Sequence, residues 1–238
     1  MCILSRVLIT GGTKGIGFAA VNKFLDCGDE VIVAARSVDC KLAYDQRVKI
    51  IQCDLSNRAA VKCLLTEAED IDILVNNAGT LQGIPYDKYT DENINYIVNL
   101  NLIAPITLAI YFGRKMAERG GGRIVNVASQ AAIAGNPDIW YGMTKAALVN
   151  FTKSFAGLMG SCGIVVNAVS PGPVGTEMVS GSPYGKRFDK IRNRTYLGRF
   201  AGTEEIADVI YWLAKESPEY LNGENIVINN GALGLEMS

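Results

Sequence analysis

The chain has 238 residues, of which 49% are hydrophobic and 20% charged, with a formal net charge of -1 and no histidine. A charge so close to zero gives no electrostatic reason to expect nucleic acid or an anionic membrane as a partner. The missing histidine excludes every Ser-His-Asp triad, every zinc site with histidine ligands and every histidine acid/base scheme.

Short β-branched runs alternate with longer periodic stretches along the whole chain. The predicted strands are nearly all apolar, as in parallel strands covered on both faces, and lie at 6–10, 30–34, 48–53, 71–76, 123–128, 164–170 and 225–228. Helical periodicity lies between them, at 15–27, 57–69, 91–119, 139–161 and 203–215. This alternation predicts an α/β fold, a doubly wound seven-stranded parallel sheet of the Rossmann type. Nothing divides the chain, so residues 1–238 are expected to form a single domain.

Two segments do not follow the alternation. Residues 37–47 are short for a crossover helix, so one or two helical turns are expected there. Residues 177–198 are rich in Gly, Pro, Ser and basic side chains and follow the carboxyl end of the sixth strand. Because α/β folds bind ligands at that end, we interpret 177–198 as a mobile substrate lid, with a flexible surface loop as the alternative.

The six cysteines include no CxxC pair. Cys27, Cys53, Cys63 and Cys162 lie in apolar or periodic contexts and are predicted to be buried free thiols, which implies a reducing compartment. The apolar start of the chain is interrupted by Arg6 and is typical of a strand, not of a signal peptide. No run approaches the roughly 18 apolar residues of a membrane span, so we expect a cytoplasmic location and no membrane contact.

A glycine-rich loop, T-G-G-T-K-G-I-G at 10–17, joins the first strand to the first helix. Gly11 permits a tight turn, Gly15 lets the backbone approach a pyrophosphate, and Gly17 lets the helix pack close to the strand. The amide groups at the helix N-terminus then face the phosphates. The pattern indicates a dinucleotide site, and the alternative is a glycine-rich turn without a ligand.

The end of the second strand bears on the choice of dinucleotide. An NAD site usually has a carboxylate there, whereas this chain has Ala35 followed by Arg36. A guanidinium suits a 2′-phosphate, and Lys14 in the glycine loop can add a second positive charge. These residues predict NADP(H) over NAD(H), unless both are solvated surface charges.

Tyr141 and Lys145 are four residues apart, on one face of a predicted helix. A tyrosine that transfers protons near neutral pH needs its phenolate stabilised by up to about 3 pKa units, and a nearby ammonium supplies part of that. Ser129 follows the fifth strand, where its hydroxyl can polarise a carbonyl. A YxxxK pair alone is mostly structural, but here it accompanies Ser129 and the glycine loop.

Together these motifs resemble the short-chain dehydrogenase/reductase family, in its short single-domain branch and closest to 3-oxoacyl-acyl-carrier-protein reductases. The remaining motifs are C-D-L at 53–55, N-N-A-G at 76–79, Asn101 and P-G-P-V-G-T at 171–176. The resemblance implies no metal and the following cofactor-binding residues: Gly11, Thr13, Lys14, Gly15, Ile16, Gly17, Arg36, Ser37, Asp54, Leu55, Asn77, Ala78, Gly79, Tyr141, Lys145, Pro171, Gly172, Val174 and Thr176.

The catalytic residues that the resemblance implies are Asn101, Ser129, Tyr141 and Lys145. Tyr141 would be the general acid of carbonyl reduction, and Ser129 would orient the carbonyl. Lys145 would hold the nicotinamide ribose and lower the pKa of the tyrosine. Asn101 would hold a water that links Lys145 to solvent, and Asn99 is a competing choice.

The resemblance also implies a cytoplasmic homo-oligomer, a tetramer or dimer formed through the two long helices, and a place in fatty acid biosynthesis. The family's usual Asp-Gly-Gly turn near the C-terminus is replaced by Asn229-Asn230-Gly231, which weakens the expectation of a tetramer. An acyl carrier protein is a possible partner for the basic residues Lys186, Arg187, Lys190, Arg192, Arg194 and Arg199, which are otherwise a solvated surface.

The expected reaction is NADPH-dependent reduction of a 3-oxoacyl thioester or related ketone. The alternatives are a pathway-specific ketoreductase or an alcohol, sugar or steroid dehydrogenase, and, more remotely, a nucleotide-sensing protein without catalysis.

Overall fold

The computed structural model describes residues 4–38, 42, 45–176 and 192–232. Its seven strands are β1 (Arg6–Thr10), β2 (Glu30–Ala35), β3 (Val48–Gln52), β4 (Ile73–Asn76), β5 (Gly122–Val127), β6 (Ile164–Pro171) and β7 (Asn225–Ile228). They form one sheet in the order β3-β2-β1-β4-β5-β6-β7, and every pairing is parallel. The predicted fold class is confirmed, and each predicted strand lies within two residues of the observed one.

The helices cover both faces of this sheet. They are α1 (Gly15–Asp26), α2 (Arg58–Glu67), α3 (Asp91–Val98), α4 (Ala104–Glu118), α5 (Ala131–Ala134), α6 (Ile139–Met159) and α7 (Thr203–Tyr211). The predicted helix at 91–119 is interrupted by a π-helical turn, Asn99–Ile103, between α3 and α4. A second π-helical turn, Trp212–Glu216, follows α7, and a 3-10 turn, Gly160–Cys162, follows α6.

The core lies in two layers because adjacent residues of a strand face opposite sides of the sheet. In β1, Val7 and Ile9 pack against the layer that contains Phe24 of α1. Leu8, between them, packs in the other layer with Phe112 of α4. All five side chains are inaccessible to solvent. Burial on both faces explains why the strands are apolar throughout instead of alternating.

The order of the strands fixes where a ligand can bind. The chain runs from β1 outward to β2 and β3, then returns to β4 on the other side of β1 and continues to β7. The connections after β1 and β4 therefore diverge and leave a crevice at the carboxyl edge of the sheet. Every predicted site motif lies at or next to this edge.

The long helix of residues 91–118 is apolar enough to cross a membrane by length and composition, with a mean hydropathy of 1.5 over its most apolar stretch. Sequence analysis found no such run. Half of that stretch is buried inside the protein, and Leu108, Phe112 and Met116 are fully enclosed. Its apolar character is therefore explained by core packing.

The cysteine prediction is correct in one respect and wrong in another. Cys27, Cys53, Cys63 and Cys162 are free thiols. Cys53 is buried, which raises its pKa to about 11, and Cys27 is partly buried. Cys63 and Cys162, however, are exposed, so the prediction of burial is wrong for both. Cys63 lies on the solvent side of α2, whose buried residues are Val61 and Leu64.

Residues 39–41 and 43–44 of the crossover and residues 177–191 of the predicted lid lie outside the described residues. Lys186, Arg187 and Lys190 of the basic cluster are among them. Arg199, which is described, forms two hydrogen bonds with the Glu205 carboxylate, at 2.7 and 3.0 Å. The charge of Arg199 is thus paired within the protein, which argues against its part in the predicted docking surface.

Candidate active site

The glycine-rich loop has the conformation that its sequence predicts. Gly11 has a φ of +68° and Gly15 a φ of +57°, which are values that side chains other than glycine rarely adopt. A Cβ atom at Gly17 would lie 2.2 Å from the backbone oxygen of Gly11, so only glycine lets α1 pack this closely against the loop. The reasons predicted for Gly11 and Gly17 are confirmed.

The ends of β1 and β4 are joined beside this loop. The Thr10 hydroxyl accepts hydrogen bonds from the backbone N–H groups of Asn77 and Ala78, both at 3.0 Å. The Asn77 side-chain amide donates to the backbone oxygens of Thr10 and Gly11, at 2.9 and 3.2 Å. In the structure Asn77 therefore holds the two strand ends together.

Tyr141 and Lys145 lie on the face of α6 that packs toward β5. Lys145 is only 3% exposed, and its ammonium donates a hydrogen bond of 2.7 Å to the backbone oxygen of Val127. The same ammonium lies 5.9 Å from the centre of the Tyr141 ring. Ser129, two residues beyond Val127, forms a side-chain hydrogen bond with the Tyr141 phenol. The structure thus brings Ser129, Tyr141 and Lys145 together as predicted.

Burial acts on both titratable groups of this cluster. It lowers the pKa of Lys145 to about 8. Burial also raises the pKa of Tyr141, and the negative charge of Asp138 raises it further. The interaction with the Ser129 side chain lowers this pKa in part. In the protein by itself the pKa of Tyr141 is therefore raised, because desolvation of the phenolate dominates, and the expected effect of Lys145 stays a prediction.

Asn101 lies in the π-helical turn, which aims it at the site. It is 1% exposed, its amide donates to the Thr80 backbone oxygen at 2.8 Å, and its side-chain oxygen accepts from the Thr80 N–H at 2.9 Å. A Cβ atom at Gly79 would lie 3.1 Å from the Lys145 ammonium and 3.3 Å from the Asn101 oxygen, so all three residues meet there. Asn99 instead accepts a hydrogen bond from Arg58. Of the two asparagines, only Asn101 lies beside Lys145.

The residues expected at the adenosine end are more exposed. Arg36 and Ser37 are exposed after β2, and the Arg36 guanidinium donates to the Tyr96 hydroxyl of α3 at 3.2 Å. The Asp54 carboxylate, also exposed, accepts two hydrogen bonds from Ser56. Leu55, by contrast, is 5% exposed and packs in the core, which leaves only its backbone to contact a ligand.

The segment after β6 approaches the glycine loop. A Cβ atom at Gly15 would lie 3.6 Å from the Thr176 side chain. Pro171 and Val174 are buried, and Val174 forms an isolated bridge with Ala201. Of the predicted residues in this segment, Thr176 is therefore the one whose side chain lies beside the glycine-rich loop. The Val174 side chain is buried and packs in the core.

Comparison with known proteins agrees with this arrangement. A family model described as Enoyl-(Acyl carrier protein) reductase matches residues 11–232. A 3alpha-hydroxysteroid dehydrogenase of Mediterraneibacter gnavus is 33% identical, with 94% of this chain and 95% of that protein covered. A 3-oxoacyl-acyl-carrier-protein reductase of Aquifex aeolicus is 32% identical over the same shares of the two chains.

The chain is a short-chain dehydrogenase/reductase. Solved structures of similar fold include a 4-hydroxyisoleucine dehydrogenase complexed with NADH, at a TM-score of 0.90 and 29% identity, with 95% of this chain and 98% of that one covered. Another, described as a gluconate 5-dehydrogenase of Beutenbergia cavernae with bound NADP, has a TM-score of 0.90 and 27% identity, with 96% of each chain covered. Oxidoreductase activity and a nicotinamide cofactor follow from membership of this family.

The cofactor site of this dehydrogenase/reductase fits a dinucleotide. Helix α1 begins at Gly15 with no side-chain cap and no acidic residue in its first turn. Its first backbone N–H groups therefore face an anion-binding position with the favourable end of the helix dipole. The exposed Lys14 adds a positive charge at the same point.

Sequence reasoning missed two buried polar groups of the dehydrogenase/reductase. Asn126 of β5 accepts a hydrogen bond from Asn76 at 2.9 Å and donates one to Thr152 of α6 at 2.9 Å, which ties β4, β5 and α6 together. Asp138 caps the N-terminus of α6 and is fully buried. An aspartate three residues before a helical tyrosine is a recognisable N-cap signal, but nothing in the sequence shows that it is buried.

Proposed function

We propose that this dehydrogenase/reductase uses NADPH to reduce the carbonyl group of a 3-oxoacyl thioester or a related ketone to an alcohol. The observation that carries the proposal is the cluster in which the partly buried Ser129 and Tyr141 interact while the buried Lys145 lies one helical turn away. Such a cluster offers a carbonyl oxygen one hydrogen-bond donor and one proton source.

Three side chains carry out the acid/base part of the reaction. A bound nicotinamide cofactor would supply the hydride for the carbonyl carbon. The Ser129 hydroxyl orients the carbonyl, and Tyr141 gives its phenolic proton to the oxygen as the C=O bond becomes C–O–H. The raised pKa of Tyr141 keeps the phenol protonated, which suits a group that acts as the acid. Lys145 would hold the ribose of the cofactor, and its charge would stabilise the phenolate that remains.

The preference for NADPH is supported by the residues at the end of β2. Ala35 stands where an NAD site carries a carboxylate, and the exposed Arg36 side chain provides a guanidinium for a 2′-phosphate. Its contact with the Tyr96 hydroxyl holds it beside α3. Among the described residues, no carboxylate is paired with Arg36.

Other members of the alcohol and ketone class form the second candidate. The relatives above include a hydroxysteroid dehydrogenase, and an L-2,3-butanediol dehydrogenase of Corynebacterium glutamicum is 31% identical. A pathway-specific reductase of such a compound uses the same three side chains. A nucleotide sensor without catalysis is disfavoured because Ser129, Tyr141 and Lys145 are intact and in contact with one another or with β5.

A cytoplasmic homo-oligomer, a dimer or tetramer, remains part of the proposal, as does a role in fatty acid synthesis. An acyl carrier protein is proposed as a partner on the remaining basic residues of the cluster, of which Arg192 and Arg194 are described. Arg199 is left out of that surface because Glu205 pairs with it.

The test follows NADPH absorbance at 340 nm with a panel of 3-oxoacyl thioesters, 3-oxosteroids and small diketones. The expected result is turnover of at least one 3-oxoacyl thioester that Tyr141→Phe lowers by at least about a thousandfold, the range of general acid catalysis. Turnover of the steroids or diketones alone would assign the second candidate. Full activity in Tyr141→Phe contradicts the mechanism itself.

A further inference from the structure

Asp138 is a buried carboxylate that the chemistry above does not use. It is 0% exposed and lies just before α6. One of its oxygens accepts hydrogen bonds from the backbone N–H groups of Gln82 and Gly83, at 2.9 and 3.1 Å. The other accepts from the Tyr141 N–H, at 3.1 Å, and from the Tyr89 hydroxyl. Three separate segments of the chain therefore converge on this one side chain.

The partners of Asp138 indicate its charge. The two oxygens face three backbone N–H groups and one phenolic O–H, all of which donate. A carboxylate that only accepts hydrogen bonds is best served in its ionised form. Within the part of the chain that the structure describes, no ion pair involves Asp138. A negative charge is thus held inside the protein by dipoles and not by a cation.

The loop that Asp138 holds is part of the active site. Thr80, two residues before Gln82, is bound at both backbone atoms by the side chain of Asn101. Asn101 also donates to the Thr144 hydroxyl of α6, at 3.3 Å. Residues 80–83 are therefore fixed to α6 at two points, by Asn101 at one end and by Asp138 at the other.

Two opposite charges lie near Tyr141. The Lys145 ammonium lies on one side, 5.9 Å from the ring centre. Asp138 lies at the helix start and raises the pKa of the phenol. From the neighbouring elements, Ser129 beyond β5 hydrogen-bonds the phenol, and Tyr89, before α3, is bound to Asp138. Burial has the largest influence on the pKa of Tyr141, and these groups modify it.

We propose that Asp138 is a positioning residue of the reaction, which fixes Tyr141 and residues 80–83 in place and opposes the charge of Lys145 at the Tyr141 hydroxyl. This inference rests on the proposed function in that Tyr141 is taken as the proton donor. The carboxylate keeps the phenol protonated for reduction up to a higher pH, and at a given pH it lowers the fraction of phenolate that is available as the base for the reverse oxidation. Neutralising Asp138 increases the ionised fraction of Tyr141 at a given pH, which favours the rate of oxidation over the rate of reduction.

The first experiment measures ionisation of Tyr141 directly and needs no substrate. Tyrosinate absorbance near 295 nm is titrated in the wild type and in Tyr141→Phe, and the difference isolates this phenol from the other tyrosines. The same pair of titrations is made in the Asp138→Asn background, with and without oxidised cofactor. We expect the Tyr141 transition to move to lower pH by about 1 unit, because a nearby negative charge is lost.

Two further variants separate the charge from the packing. Asp138→Ser keeps an N-cap oxygen for Tyr141 without the charge, and it replaces Asp138→Asn if the latter does not fold. It is expected to give the same downward shift. Tyr89→Phe removes one hydrogen bond but keeps the Asp138 charge, so it is expected to lower kcat without moving the titration of Tyr141.

The kinetic readout is the pH profile of kcat for carbonyl reduction. Reduction requires protonated Tyr141 and is lost as pH rises through its pKa, so the basic limb of Asp138→Asn moves to lower pH by the same amount. A uniform loss of kcat with an unmoved limb and an unmoved titration overturns the inference. If the titration shifts but no carbonyl is reduced by the wild type, the proposed function fails while the inference about Asp138 stands.

Discussion

Gly79 lies directly against the Lys145 ammonium, since a Cβ atom at position 79 would be 3.1 Å from Lys145 Nζ. Lys145 is buried and bound to the Val127 oxygen, so it has little room to move aside. We therefore expect Gly79→Ala to lower kcat/KM by at least about tenfold, or about 1.4 kcal/mol. Steady-state kinetics check this, with Gly157→Ala as the control because its Cβ would meet nothing within 4 Å. Equal effects of the two substitutions would contradict the prediction.

Lys145→Met is expected to stabilise the protein while abolishing activity. Burial lowers the pKa of Lys145 to about 8, so its protonated form destabilises the folded state near pH 7. The penalty is full below pH 8 and disappears as pH rises toward the lysine's ordinary value. The lost hydrogen bond to Val127 offsets part of the gain, which leaves an expected rise in Tm of about 2–4 °C at pH 7. Thermal melts at pH 7 and pH 10 test it, and an advantage that persists undiminished at pH 10 refutes the explanation.

Asn101 and Asn99 can be distinguished by parallel substitutions. Asn101→Ala leaves both backbone groups of Thr80 without their partners, at a cost of about 1–3 kcal/mol in stability, and lowers kcat. Asn99→Ala removes only an exposed contact with Arg58 and changes stability by about 0.5 kcal/mol or less. Melts and kinetics on both variants check this. A larger loss of kcat in Asn99→Ala would assign the role to that residue instead.

Arg36→Asp is expected to reverse the cofactor preference. A carboxylate at this position repels a 2′-phosphate and accepts hydrogen bonds from ribose hydroxyls. The loss of one charge-assisted contact raises the Kd of NADPH by about tenfold or more, while that of NADH falls or stays level. Fluorescence titration with both cofactors measures it. Equal binding of NADH and NADPH by the wild type, with no change in Arg36→Asp, would remove the basis for NADPH.

Lys215→Met is expected to destabilise the protein without affecting the active site. Lys215 forms an ion pair of 2.7 Å with Asp29, whose side chain is 1% exposed. Removing the cation leaves a buried carboxylate unpaired, at about 3–5 kcal/mol, which lowers Tm by roughly 6 °C or more. Lys23→Met is the matched control, because its pair with Asp208 is exposed and is worth about 1 kcal/mol at most. Similar melts for the two variants would show that burial of the pair does not matter.

Much of the fold could be predicted because apolar strands and periodic helices are local signals. The glycine loop and the Ser129, Tyr141 and Lys145 cluster also follow from their positions at strand ends and on one helical face. The π-helical turn that aims Asn101 could not, because hydrophobic periodicity does not distinguish it from regular helix.

Electrostatics and exposure were harder to predict. The sequence places Lys145 near Tyr141, but only the packed structure shows that burial outweighs this charge in setting the phenol's pKa. The exposure of Cys63 depends on the rotational position of α2 about its axis, which a short periodic stretch does not define. The burial of Asp138 could not be predicted because two of its partners, the backbone N–H groups of Gln82 and Gly83, lie far away in the sequence.

The π-helical turn at Asn99–Ile103 changes the direction in which the side chains of α4 point relative to those of α3. A regular helix of the same sequence would not have this change. Such a turn holds one residue more than an ordinary helical turn, and this surplus residue rotates all that follows by about 100°. Upstream of it the helix carries Tyr96 toward the adenosine end, and downstream Leu108 and Phe112 fill the core. Deleting a single residue in this turn would rotate the helix before it by about 100° relative to the helix after it, so Asn101 could no longer contact Thr80 while Leu108 and Phe112 stay in the core. The length of this turn therefore determines the position of the active-site residue Asn101 relative to the buried residues Leu108 and Phe112.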